Sequence, residues 1–116
     1  VRRDTNEKIE VKLTELDAKV GEILELIQQN MYDVCKKRME AKTTIAHNLE
    51  EFQANMNKEQ GFIKAMWCGN EECEAKIKEL TAAKSRCMPF EQEHIGDTCV
   101  CCGKKATKMV IWGRQY

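Results

Sequence analysis

The sequence predicts an α+β fold: a long N-terminal helix followed by a small split-βαβ-like sheet domain that carries a site built from four cysteines. Three observations predict it. Apolar residues recur at threes and fours from Leu16 to Cys35, the spacing of a single helix face. From Thr43 onward, short β-branched or alternating runs trade places with two helical ones, in the order β-α-β-α-β-loop-β. Two cysteine hooks, Cys68-Gly-Asn-Glu-Glu-Cys73 and Cys99-Val-Cys-Cys102-Gly103, are placed so that four thiolates from two short turns can converge.

Val1 to Thr5 reads as the end of a strand whose partners are not in the chain, followed by a turn at Asn6-Glu7-Lys8 and an extended Ile9–Val11. Thr14-Glu-Leu-Asp17 has the spacing of a helix cap, with Thr14 accepting from the Asp17 amide. The helix then runs from about Glu15 to Ala41, its stripe made of Leu16, Val20, Ile23, Leu24, Ile27, Met31, Val34 and Cys35 and persisting to Met39. Glu15/Lys19 and Asp33/Lys37 are favourable i,i+4 pairs on the outer face. At 1.5 Å per residue its length is roughly 40 Å, more than one small core needs, so it is expected to bridge two bodies. The stripe covers too few heptads for a coiled-coil seam. Gly21, which costs about 1 kcal/mol in a helix interior, is expected to mark a close approach.

Thr43-Thr44-Ile45-Ala46 is a short β-branched strand, and Asn48 with Glu51 forms a cap for a helix that buries Leu49, Phe52 and Met56 and ends near Glu59. Phe62 to Trp67 alternates as a strand leading into the first hook. Glu71 to Ala83 is helical, with Cys73, Ile77 and Leu80 inward and Glu72/Lys76 and Glu74/Lys78 outside. Ser85 to Phe90 returns as a strand whose Pro89 marks an edge or an end. Glu91 to Thr98 is a polar loop, and Thr107 to Trp112 is the last strand.

Composition bounds the function. The chain has 116 residues, enough for one domain or for one small domain plus part of another. It opens on Val1, without a methionine, and is expected to be the tail of a longer protein. Without a signal peptide or an apolar run of membrane length, it is expected to be soluble and cytoplasmic, with no membrane partner. Nineteen Lys+Arg balance nineteen Asp+Glu, which speaks against a free-standing, strongly electrostatic nucleic-acid binder. Seven cysteines, an odd number in an intracellular-looking chain, favour metal over disulfides.

The hooks suit zinc. Four sulfurs at about 2.3 Å leave a tetrahedral ion no open position, so the expected contribution is folding energy and not Lewis-acid chemistry. Cys68, Cys73 and Cys99 are three ligands. The fourth is Cys102, whose Cys-Gly step makes the usual turn, or Cys101, because C-x-C hooks also close such sites. Cys73 falls in the first turn of its helix, where the positive end favours a thiolate. Cys35, on the long helix's stripe, and Cys87 are expected in the core. His47 and His94 have no nucleophile or carboxylate partner in a recognisable arrangement and receive no catalytic role.

One set of motifs resembles a known family. Val1-Arg-Arg-Asp-Thr-Asn-Glu-Lys8, Ile27-Gln28-Gln29-Asn30, Trp67-Cys68-Gly69 to Cys73-Glu74, Arg86-Cys87-Met88-Pro89-Phe90, Cys99-x-x-Cys102-Gly103 and Trp112-Gly113-Arg114-Gln115-Tyr116 resemble the C-terminal end of prolyl-tRNA synthetase in its eukaryote/archaeon-like form. The resemblance implies that residues 1–41 are the last strand and closing helix of an anticodon-binding domain, with a linker, and that residues 42–116 are a C-terminal zinc-binding α+β domain. It implies a parent enzyme, a class II homodimer, that ligates L-proline to tRNA(Pro) with ATP bound upstream of this chain. The family's Cys before glycine favours Cys102, and the extra Cys101 departs from its pattern. Tyr116 and its carboxylate are expected to reach back towards the catalytic domain. Arg2 and Arg3, with the Lys36-Lys37-Arg38 run, are candidates for touching tRNA phosphates, a solvated face being the simpler reading. Two other classes fit the hooks alone: an independent zinc-ribbon-like nucleic-acid binder, and a thiol redox protein using Cys99 and Cys102.

Overall fold

A computed structural model describes residues 1–58 and 61–114. The chain divides into two compact units, Val1–Glu40 and Ala41–Tyr116. Its elements are α1 (Leu16–Ala41), β1 (Thr43–Ile45), α2 (Leu49–Lys58), β2 (Phe62–Trp67), α3 (Glu71–Thr81), β3 (Ala83–Cys87) and β4 (Lys108–Arg114). No described helix is long and apolar enough to cross a membrane.

In the first unit the strand expected at Val1–Thr5 does not form. Arg2 N–H donates to Glu7 O at 2.8 Å and Asn6 N–H to Arg2 O at 3.0 Å, which folds the segment into a turn. Asn6 takes the left-handed conformation (φ 60°) that closes it. A strand needs a neighbour to satisfy its amides. Here the chain supplies only its own next residues. Asp4 accepts from both Arg2 Nε and Nη2, at 3.1 and 2.7 Å, and from Asn30 Nδ2 at 2.8 Å, tying the turn to α1.

A 3-10 turn at Leu13–Glu15 leads into α1, so Thr14 lies inside a wound segment and does not stand before the helix as a cap. On the outer face, Lys19 pairs with Glu22 at 2.7 Å and Asp33 accepts from Gln29 at 3.0 Å, in place of the expected Glu15/Lys19 and Asp33/Lys37 pairs. No residue of α1 is buried. The stripe is there in sequence, but within this unit most of it stays uncovered: Leu24, Met31 and Val34 are exposed. Gly21 therefore marks no close approach, since a Cβ added there would meet nothing within 4 Å. Cys35 is exposed for the same reason.

The second unit is a four-stranded sheet in the order β1-β2-β4-β3. β1 runs parallel to β2, and β4 pairs antiparallel with both β2 and β3. β2-α3-β3 is thus the split unit, opened by β4, whereas β1-α2-β2 joins direct neighbours. The directly opposed pairs Ile63↔Trp112 and Ala65↔Val110 share one face and pack with Phe52 and Met56 of α2 and Ile77 of α3. The Phe52 and Trp112 rings meet edge-on, with centroids 6.0 Å apart and planes at 81°. Met66 and Met109, directly opposed in the same ladder, form a second cluster with Cys73, Cys99 and Ala106.

Asn48 caps α2 as expected: its Oδ1 accepts from Glu51 N–H at 2.8 Å, and Glu51 reaches back to His47 N–H at 2.9 Å. The expected end of α2 at Glu59 lies outside the described residues. Three elements shift their bounds. α3 stops at Thr81, where Ala82 turns left-handed (φ 57°). Leu80, expected inward, is 47% exposed, and Thr81 is buried in its place. The core of this short helix follows a strict i,i+4 row, Cys73–Ile77–Thr81, because it meets the sheet along one edge. Thr81 is satisfied there, donating to Ile77 O and accepting from Ala83 N–H.

β3 spans Ala83–Cys87 and not Ser85–Phe90, with an irregularity between Ser85 and Cys87. Pro89 brings no N–H, and the Gln92 side chain continues the edge by accepting from Met109 N–H at 2.7 Å and donating to Pro89 O at 2.6 Å. Cys87, expected in the core, is exposed on this outer strand. β4 runs two residues past the expected Trp112, because β2 and β3 flank it as far as Gly113 and Arg114.

Candidate metal centre

Both hooks are built by local chemistry. Gly69 and Gly103 each follow a cysteine and take positive φ (88° and 69°). Each swings the next amide back onto the preceding sulfur: Asn70 N–H onto Cys68 and Lys104 N–H onto Cys102. Asn70 also caps α3 by accepting from Glu72 N–H at 2.9 Å, while the Trp67 indole donates to Asn70 O at 3.1 Å. Cys73 then falls in the first turn of α3. The second hook is a small hairpin closed by the Thr98↔Lys105 bridge. Cys99 N–H donates to Lys104 O at 2.7 Å and Gly103 N–H to Cys99 O at 2.9 Å.

One backbone bond joins the hooks. Val100 N–H donates to Met66 O at 2.9 Å, holding the hairpin beside the end of β2, where the first hook begins. The ligand atoms of Cys68, Cys73, Cys99 and Cys102 all lie within 4.8 Å of one another. Cys68 Sγ is 3.7 Å from Cys73 Sγ and 3.8 Å from Cys102 Sγ. Cys101 is not in this group; it is half-buried and packs against both core clusters.

The spacing discriminates between chemistries. Sulfurs each about 2.3 Å from a central tetrahedral ion stand about 3.8 Å apart, whereas a disulfide holds them at about 2.05 Å. The residues present therefore fit a four-coordinate thiophilic ion. Burial pushes the Cys73 thiol far up, and the Cys68 thiol up too. The Lys104 amide instead draws Cys102, the exposed member, down to about 7. Four thiolates this close repel one another, and a divalent cation at their centre lets all four lose their protons. With four protein sulfurs the ion has no place for substrate, so such a centre staples the fold.

Of the other predicted residues, Arg2 is bound to Asp4 through its guanidinium fork, and Arg3 stands exposed on the same turn. Tyr116 lies outside the described residues. His94 does have a carboxylate partner, Asp97 at 3.1 Å, but both side chains are exposed and the pair is a surface contact three residues apart. The sequence reading missed Asn70, although an asparagine just before an acidic first turn is a cap signal. It also missed the Met66–Val100 bond, for which no local signal exists.

A family model described as prolyl-tRNA synthetase, C-terminal, matches residues 49–116. The chain is 55% identical to the proline-tRNA ligase of Clostridium botulinum (strain Okra / Type B1) over 116 residues, which is all of this chain and 24% of that protein. The proline-tRNA ligase of Lachnoclostridium phytofermentans matches over the same span, also at 55%. Among solved structures, the prolyl-tRNA synthetase of Cryptosporidium parvum complexed with L-proline and AMP superposes with a TM-score of 0.89 at 30% identity, covering 98% of this chain and 25% of that one. The chain thus spans about a quarter of the length of these relatives.

Proposed function

The chain belongs to the family of the prolyl-tRNA synthetase C-terminal domain, and we propose that it is the zinc-stapled C-terminal module of a cytoplasmic proline-tRNA ligase. In this reading the whole enzyme joins L-proline to tRNA(Pro) with ATP, and its catalytic and ATP-binding residues lie outside these 116 positions. The observation that carries the reading is identity to proline-tRNA ligases over the full length of the chain. The four-sulfur spacing supports the metal.

Cys68, Cys73, Cys99 and Cys102 hold the zinc. Residues 1–41 complete the anticodon-binding domain, whose remainder covers the apolar stripe of α1. Most of that stripe is exposed, as a face made for other segments of the same protein would be. Arg3 supplies a phosphate contact to tRNA from the turn that Arg2 and Asp4 shape. Tyr116 reaches towards the catalytic domain, and the whole enzyme dimerises through that upstream domain.

The test uses the full-length protein. It binds one zinc per chain, charges a tRNA(Pro) transcript, and loses charging efficiency when Tyr116 is deleted, while the 116-residue chain alone charges nothing. A full-length protein that fails to charge tRNA(Pro) overturns the ligase reading. Unchanged kinetics without Tyr116 overturn the role of the tail.

A further inference from the structure

Lys108 stands opposite Trp67 in the β2–β4 ladder, so the pairing that ends β2 also holds this lysine beside the first hook. Its Nζ lies 3.8 Å from the position that a Cβ would take on Gly69, the residue after Cys68. Among the described residues no carboxylate pairs with it. Lys64, by contrast, has Glu93 at 2.7 Å. A divalent ion held by four thiolates leaves the centre with surplus negative charge, which the two sulfur-directed amides offset only in part.

We propose that Lys108 is the cationic partner of the metal centre, a positioning residue whose ammonium offsets that charge and tightens the hold on the ion. This rests on the zinc reading above. Lys108 is not a ligand. It acts from the solvent side, through a field that salt screens over about 10 Å at 0.1 M.

The experiment compares zinc affinity in full-length wild type, Lys108→Arg, Lys108→Met and Lys108→Glu, by competition with a chromophoric chelator at low and high salt. Arg binds as wild type. Met binds about tenfold more weakly, at the lower end of what changes to the outer partners of a metal site cost, and Glu more weakly still. The spread narrows at high salt. Cobalt substituted for zinc gives the same tetrathiolate absorption in all four, which shows that the ligand set is intact. Equal affinity across the series at low salt overturns the proposal and leaves the zinc site standing. A Met variant that loses the tetrathiolate spectrum also overturns it, because the lysine would then be needed for folding and not for its charge. Wild type that takes up no zinc overturns the metal reading together with this one.

Discussion

Cys68 Sγ and Cys73 Sγ stand 3.7 Å apart across the first hook, close to the edge of a tetrahedron drawn around a zinc ion. The backbone sets this spacing: a left-handed Gly69 turns the chain, and the Asn70 cap starts the helix that presents Cys73.

Cys73→Ser in the full-length protein is expected to abolish zinc binding and to lower the stability of the second unit by several kcal/mol, because structural zinc supplies folding energy outright. Cys101→Ser is expected to retain one zinc per chain and to cost less than about 1.5 kcal/mol. Elemental analysis with thermal unfolding of both variants checks this. Loss of metal in Cys101→Ser, with retention in Cys102→Ser, would reverse the ligand assignment.

Acid should loosen the N-terminal turn only at very low pH. The Arg2 guanidinium holds the Asp4 carboxyl down at about 2, from an ordinary 3.8. A depressed carboxylate contributes stability that is fully present above its ordinary value and is lost as pH falls through the folded one. The turn is therefore insensitive from neutral pH to about 4 and opens between about 4 and 2. A carbon-detected NMR titration of Asp4 with its midpoint near 4 would contradict this.

Gly61→Ala should disrupt the start of the sheet. A Cβ there would lie 2.0 Å from Lys42 O, the same carbonyl that accepts from Phe62 N–H at 2.9 Å. Backbone cannot yield as a flexible side chain does, so a destabilisation of about 2–3 kcal/mol is expected. Denaturant midpoints measure it, and a wild-type midpoint would refute it.

Ala82→Gly should stabilise. Ala82 holds the left-handed conformation at the end of α3 (φ 57°), which costs a residue with a Cβ about 1 kcal/mol. Glycine keeps the N–H bond to Lys78 O at 2.8 Å and removes that strain. The gain should appear as a higher denaturation midpoint of about that size, and a lower one would count against the argument.

How much was legible depended on how far each feature reaches along the chain. The Asn48–Glu51 cap, the run of β2, the helical spacing of α1 and the two Cys-Gly turns each rest on residues within a few positions of one another, and the structure holds all of them. The strand assigned to Val1–Thr5, the inward Leu80 and the buried Cys87 are different. Each needed a neighbour that local pattern does not name.

From the sequence alone come the α+β class, the order of elements from Thr43 onward and the cysteine hooks, because periodicity, capping and turn chemistry act over one or two turns of chain. Only the tertiary structure decided that β4 enters between β2 and β3, that Val100 bonds to Met66, and that Lys108 stands over Gly69. Those relations join residues more than twenty positions apart. The free energy that selects them comes from burying Trp112, Phe52 and Ile77 together, a property of the assembled core that no single stretch of sequence contains.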